Sequence, residues 1–153
     1  MIVEARELVC DSGGPGKRRG GLGRRMVIRV PDDEKAPQGQ VTIAVQAGRF
    51  RYAPQGIFGG QAGAKARFLK NGDPADPSGL TFCGPGDVLA FYSAGGGGYG
   101  NPFEREADLV ENDVERGYVS VEGAKRDYGV VIDPKTLEPD IEGTQALRAV
   151  RKR

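Results

Sequence analysis

Alternation of apolar and polar positions dominates the first two thirds of the chain and predicts short strands. Ile2 to Val9 reads as a strand whose alternation breaks at Val3-Glu4. Met26-Val27-Ile28-Arg29-Val30 and Val41-Thr42-Ile43-Ala44-Val45 alternate or nearly so, with the polar stretch Pro31 to Gly39 between them. That pair is expected as an antiparallel hairpin with a long connection. Phe50-Arg51-Tyr52 extends the pattern until Pro54 stops it. Asp87 to Tyr92 is the best strand candidate, entered through the Gly84-Pro85-Gly86 turn.

After Gly100 the pattern becomes helical. Asn101-Pro102-Phe103-Glu104 has the order of a helix start: a capping amide, Pro at the first helical position, and an acid two residues on. A helix is expected from Phe103 or Ala107 to Arg116, closed by Gly117. Ser120 is placed to cap a second helix through Asp127 that ends near Gly129, and Val130-Val131-Ile132 reads as a short extended segment. Asp140 is placed to cap a last helix whose basic end, Arg148 to Arg153, suits the negative pole of the helix dipole. The expectation is one domain in two parts, a Gly-rich β/polyproline-type region over 1–100 and a short helical region over 101–153.

Composition changes this picture in one respect. The chain holds 25 Gly and 10 Pro in 153 residues, no Trp, and only 38% hydrophobic residues. Glycine is costly to order and buries no side chain, so such a chain is expected to need contacts from a partner. Several glycines are spaced by three: Gly13/Gly16, Gly20/Gly23, Gly60/Gly63, Gly95/Gly98 and Gly97/Gly100. Three residues make one turn of polyproline II, where a glycine face lets backbones approach closely. Flexible loops are the alternative. The fold class expected is therefore mainly β, with Gly-rich polyproline-II-like segments and short C-terminal helices.

Charge is balanced, 22 basic against 21 acidic residues, which argues against a general polyanion binder. Lys17, Arg18, Arg19, Arg24 and Arg25 nevertheless form a basic tract. With no aromatic inside it for base stacking, an acidic protein surface or solvent is the expected partner, and nucleic acid the lesser alternative. The absence of His removes the commonest general base and metal ligand. Cys10 and Cys83, far apart and outside any CxxC, are expected as buried free thiols. Carboxylates at Asp32-Asp33-Glu34, Asp73/Asp76 and Asp108 to Glu115 are expected on solvated faces.

Two glycine tracts invite a phosphate-binding reading. Gly13-Gly14-Pro15-Gly16-Lys17-Arg18 lacks the Ser or Thr that a Walker loop needs after its Lys. Gly95 to Gly100 follows a strand and precedes a helix start, yet lacks the crossover unit and acidic partner of a dinucleotide site. No cofactor or metal is expected on this chain. No run approaches membrane-spanning length and no apolar signal core opens the sequence, so a cytoplasmic location is expected.

The unusual tracts form an ordered set. They are Asp11-Ser12-Gly13-Gly14-Pro15-Gly16 with Arg19-Gly20-Gly21-Leu22-Gly23, then Gly56-Ile57-Phe58-Gly59-Gly60 with Gly63. Pro85-Gly86-Asp87 follows, then Gly95-Gly96-Gly97-Gly98-Tyr99-Gly100 with Pro102, Glu104 and Arg105. Asp113-Val114, Gly117, Val119-Ser120 and Asp127-Tyr128-Gly129-Val130-Val131 complete the set. Each string alone is weak; their ordered succession is specific, and it resembles the C-terminal part of the hydantoinase B/oxoprolinase family. Asn101 stands where the family usually has Asp, and Met1 falls just before the family's C-terminal segment.

The resemblance implies a β-barrel-like set of sheets, completed by a partner, running into a bundle of polyproline-type segments. It implies a small non-catalytic subunit docking on a larger hydantoinase-B-type chain, with hydantoinase-A-type partners of actin-like ATPase fold. ATP and Mg would then belong to those partners. The reaction implied is carboxylation of a ketone, the acetophenone carboxylase type being the best fit, with ATP-dependent hydantoinase, oxoprolinase or lactamase complexes as alternatives. Gly13, Gly14, Gly16, Gly20, Gly21, Gly23, Gly97 and Gly98 are expected in close backbone packing, within the domain and against the larger subunit. Tyr52, Phe58, Tyr99 and Phe103 are expected to bury rings at those junctions or in an ordinary core. If the chain lends residues to an active site at a subunit junction, Asp11, Lys17 and Asp87 are the candidates.

Overall fold

The computed structural model describes residues 1–32, 41–45 and 48–151. The chain is mainly β with short helices. Its largest element is a five-stranded antiparallel sheet in the order β1-β2-β7-β4-β5. These strands are β1 (Ile2–Leu8), β2 (Arg24–Arg29), β4 (Arg67–Lys70), β5 (Asp73–Pro74) and β7 (Val88–Tyr92). A separate ribbon joins β3 (Val41–Ala44) to β6 (Leu80–Cys83). The broken alternation at Val3-Glu4 is a bulge: Val3 pairs with Ile28 and Ala5 with Val27, which leaves Glu4 over.

The hairpin expected between residues 26–30 and 41–45 does not form. Both edges of β2 are taken, by β1 and β7, and β3 pairs instead with β6. Alternation in β3 has a different use. Val41 and Ile43 face inward with Cys83 and pack on Phe68, Leu89 and Val30, while Thr42 and Phe82 face out. Of the connection expected over Pro31 to Gly39, residues 33–39 lie outside the described residues. Phe50-Arg51-Tyr52 is not strand but bend: Arg49 has φ +72, Phe50 packs on the core cluster, and Tyr52 points outward.

Strands β4, β5 and β6 are not marked by the alternation pattern. Asn71 at φ +53 and Gly72 at φ +91 make the turn between β4 and β5, the Asn-Gly pairing that tight hairpins favour. Phe68 of β4 stacks on Phe91 of β7, ring centroids 4.8 Å apart. That contact ties a segment with almost no alternation into the centre of the sheet.

The helical half follows its local signals. Asn101 Oδ1 accepts a hydrogen bond from the Phe103 amide at 3.0 Å and opens a 3-10 turn, Pro102–Glu104. Helix α1 (Ala107–Glu115) ends at Arg116 with Gly117 at φ +68. Helix α2 (Val121–Tyr128) is capped by Ser120, whose Oγ accepts from the Gly123 amide, and closed by left-handed Gly129. Strands β8 (Val131–Ile132) and β9 (Pro139–Asp140) pair before helix α3 (Ile141–Arg151), where Asp140 Oδ1 accepts from the Gly143 amide. Val110, Val114, Val119, Ala124, Tyr128, Val130 and Ile132 form the core of this half.

The basic end of α3 departs from expectation. Arg148 donates to the Tyr128 carbonyl from Nε at 3.1 Å and to the Arg105 carbonyl from Nη2 at 2.8 Å. It therefore serves the C-terminal carbonyl of α2 rather than its own helix. Lys152 and Arg153 lie outside the described residues.

Candidate functional site

Three glycine-rich threads, residues 12–23, 53–66 and 93–100, run against one another with backbone as their contact surface. Each touches the other two, the first and second meeting directly where Ala64 donates to the Ser12 carbonyl at 2.8 Å. Gly14 donates to the Gly96 carbonyl at 2.8 Å, and Gly96 donates to Gly21 at 2.8 Å. On the other side Ile57 donates to Gly98 at 3.0 Å, Gly98 to Gln61 at 2.9 Å, and Gln61 to Pro15 at 2.7 Å. Arg18 and Tyr99 exchange two backbone bonds, each 2.9 Å.

The approach is close enough to exclude any side chain at the crossing points. A Cβ on Gly20 would meet the Gly96 carbonyl, one on Gly60 the Gly98 carbonyl, and one on Gly98 the Pro15 carbonyl. Gly13, Gly14, Gly16, Gly23 and Gly97 are blocked in the same way by neighbouring backbone. Gly21 differs, having no heavy atom within 4 Å of where a Cβ would stand.

An apolar tip projects from this bundle of threads. The turn Ile57-Phe58-Gly59-Gly60 is closed by the Gly60 amide on the Ile57 carbonyl at 3.0 Å, with Phe58 at φ +53 and Gly59 at φ +91. Phe58 is 78% exposed and its ring leans on Tyr99, centroids 5.3 Å apart, while the preceding Ile57 is exposed too, as is Tyr52 earlier in the same thread's approach. Arg18 and Tyr99 line an open depression of about 390 Å³. Phe103 takes a different place: it is half-buried, its ring lying where a Cβ on Gly129 would be.

The basic tract is largely spent inside the molecule. Arg19 holds Asp113 with two bonds, Nε to Oδ2 at 3.0 Å and Nη2 to Oδ1 at 3.2 Å, and Arg105 Nη2 reaches the same Oδ2 at 2.9 Å. All three side chains are mostly buried. Arg19 also lies over the Tyr118 ring at 5.4 Å. Lys17 pairs with Glu104 at 3.4 Å, and Arg25 with Glu7 at 2.6 Å. The expected acidic surface is thus, for three of these five cations, an acid of the same chain. Asp113 likewise corrects the expectation that every carboxylate from Asp108 to Glu115 is solvated, because α1 turns it inward between Val110 and Val114.

The three junction candidates are held by different partners. Asp11, at φ +57, accepts from the Ser120 amide at 2.9 Å and the Ser120 hydroxyl at 2.6 Å, fastening the first thread to the start of α2. Lys17 is tied to Glu104 as above. Asp87 accepts from Lys70 Nζ at 2.9 Å, from the Asn71 side-chain amide at 2.7 Å and from the Gly84 amide at 2.9 Å. Those donors, the Lys70 ammonium first, hold its carboxyl down at about 2.

No activated nucleophile appears among the described residues. Burial pushes the Tyr128 hydroxyl up to about 12. Cys83 is buried as expected; Cys10 is not, because the Cys10-Asp11 turn leaves it exposed. Partial burial and the neighbouring Asp11 raise the Cys10 thiol above its ordinary value, which disfavours the thiolate. Among the described residues no three His, Cys, Asp or Glu side chains gather where a metal ion could bind. No helix among them is long and apolar enough to cross a membrane. What the site offers is a rigid backbone scaffold bearing exposed aromatic rings.

Comparison with known proteins gives this arrangement its relatives. Residues 1–102 match the model of a family described as hydantoinase B/oxoprolinase. An uncharacterized protein of Methanocaldococcus jannaschii, MJ0963, is 36% identical over 98% of this chain, which spans 26% of that protein. The caprolactamase subunit beta of Pseudomonas jessenii is 34% identical over 97% of this chain and is spanned to 26%. The crystal structure of the ATP-dependent caprolactamase from that organism superposes with a TM-score of 0.71 at 29% identity, over 97% of this chain and 26% of that one. The acetophenone carboxylase delta subunit of Aromatoleum aromaticum is 37% identical over 42% of this chain, which covers 10% of it. This chain thus spans about a quarter of the first two relatives, and its glycine threads, resemblance and matches converge: it belongs to the hydantoinase B/oxoprolinase family.

Proposed function

We propose that this chain is a small non-catalytic subunit that completes a hydantoinase-B-type polypeptide within a heteromeric, ATP-dependent enzyme, residues 1–100 and 101–153 acting as one domain. The observation that carries the reading is the exposed Phe58–Tyr99 tip mounted on threads locked by backbone contacts. Exposed aromatic rings on a rigid support are what binding hot spots are made of. Asp11, Lys17 and Asp87 then serve the fold through the bonds described above. The threads are taken as polyproline-type segments, and the open sheets as parts of a barrel that the larger chain completes. ATP and Mg belong to the hydantoinase-A-type partners, in the cytoplasm.

Two reactions are compatible with this reading: hydrolysis of a lactam or cyclic ureide, and carboxylation of a ketone. The caprolactamase subunit beta is 34% identical over 97% of this chain and the acetone carboxylase alpha subunit of Xanthobacter autotrophicus 27% identical over 99% of it, so both likenesses extend over nearly the whole chain. The ketone-carboxylase reading therefore holds no advantage over the lactamase one. The test is co-expression of this chain with the hydantoinase-B-type and hydantoinase-A-type chains of its own source, followed by native mass measurement. The purified complex is then assayed for ATP consumption with caprolactam, hydantoin, acetone and acetophenone. A stable complex with substrate-dependent ATP turnover that needs this chain is expected. A folded lone chain that binds neither companion overturns the proposal.

A further inference from the structure

Strand register divides the main sheet into two unlike faces. Val3, Arg6 and Leu8 of β1 share a face with Ile28, Met26 and Arg24 of β2 and with Leu89 and Phe91 of β7. At the β4 side this face is covered by the β3–β6 ribbon through Val41, Ile43 and Cys83. At the β1 side it is open: Val3 is 59% exposed and Leu8 51%. A groove of about 310 Å³ runs there, floored by Met26 and Phe91 and walled by Arg6, Arg24 and Ser93.

On the opposite face, around the buried Val27, the charges are paired. Glu7 pairs with Arg25 and Glu4 with Arg29, both at 2.6 Å, and Arg67 lies 4.2 Å from the centre of the Tyr92 ring. On the open face, Arg6 and Arg24 meet no acid among the described residues. A sheet whose charges pair on one side and stand unpaired around an apolar groove on the other is asymmetric in a way that solvent alone does not explain. Beside the groove, β1 is first in the strand order, so its outer backbone edge has no strand beside it among the described residues.

From these observations we infer that the β1 side of this face is a docking surface for an extended segment of a hydantoinase-B-type polypeptide. That segment adds to the β1 edge and places a carboxylate between Arg6 and Arg24, with apolar neighbours on Met26, Val3 and Leu8. Strand addition supplies backbone bonds, and the groove supplies selectivity. The occupant is identified by charge complementarity and by length: this chain spans 26% of MJ0963 and 26% of the caprolactamase subunit beta, so a hydantoinase-B-type polypeptide carries a long further stretch that can supply the segment. The inference rests on the proposed function and adds to the Phe58–Tyr99 tip a second, separate contact.

The experiment uses the full chain and its co-expressed hydantoinase-B-type companion. Amide hydrogen exchange of residues 2–8 is compared in the lone chain and in the wild-type complex, and the companion is titrated against wild type, Arg6→Glu/Arg24→Glu and Leu8→Asp. Slowed exchange across residues 2–8 and at least a ten-fold weaker Kd for both variants are expected, with unchanged melting of the lone chains. Tight binding of wild type without slowed exchange at residues 2–8 overturns this surface and leaves the proposed function standing. Failure of wild type to bind the companion at all removes both. The exchange comparison needs only wild-type protein, so it decides even if a variant folds poorly.

Discussion

Phe58 carries a conformation that most bulky residues avoid, φ +53, with its ring 78% exposed. Such a backbone state costs about 1 kcal/mol and is retained where something other than folding uses it. Phe58→Asn, which tolerates the left-handed region, should leave thermal stability equal or slightly higher while weakening the complex at least ten-fold; paired melting and titration measure both. Asp113 makes the opposite case. It is shared by two mostly buried guanidinium groups, so Asp113→Ala leaves them facing each other uncompensated. A loss of about 3 kcal/mol or more is expected in urea unfolding. The sequence did hold a signal for it: Val110, Asp113 and Val114 fall on one helical face, an acid set in an apolar stripe. Asp87 gives the pH dependence. Its carboxyl is held at about 2 when folded, below the ordinary value, so its contribution is fully present above about pH 4 and is lost as pH falls through about 2. The stability gap between wild type and Asp87→Asn should therefore be widest near neutrality and narrow steadily in melts below about pH 4.

Elements were legible where their signals are local. Asn101, Ser120 and Asp140 cap helical turns through their own side chains, and Gly117 and Gly129 end helices at positive φ, all within a few residues of the elements they govern. Strand partners were not legible, since alternation in β2 and β3 marks a buried side without naming a neighbour. The Asn71-Gly72 pair is a local turn signal, whereas β4 carries none of its own because Arg67-Phe68-Leu69-Lys70 hardly alternates. The spacing of the threads by three was visible, but which glycines touch backbone was not. Gly20 and Gly21 are adjacent and alike in sequence, yet only Gly20 has a carbonyl where its Cβ would stand. Gly20→Ala should cost several kcal/mol, on the order of 3 or more, whereas Gly21→Ala should stay within about 0.5 kcal/mol in chemical unfolding.

At the scale of the whole molecule, the family could be recognised because its marks are short strings repeated in order, while the substrate left no comparable mark in the chain. The Asp11–Ser120 and Arg19–Asp113 contacts also join the strand-rich and helical halves, so assembly of either half bears on the other. The threads carry a further consequence, one of time. Residues 93–100 must settle against both residues 12–23 and residues 53–66, glycine-rich stretches that wander most widely when unfolded. Closing such distant loops precedes any reward from the contacts, which makes folding slow. Stopped-flow refolding of the lone chain should show the core of the helical half, local in sequence, gaining protection ahead of the threads. On the ribosome the bundle cannot close until Gly100 has left the exit tunnel, so Phe58 and Ile57 spend synthesis uncommitted. A newborn chain is therefore most exposed to a wrong neighbour in the interval before its third thread arrives.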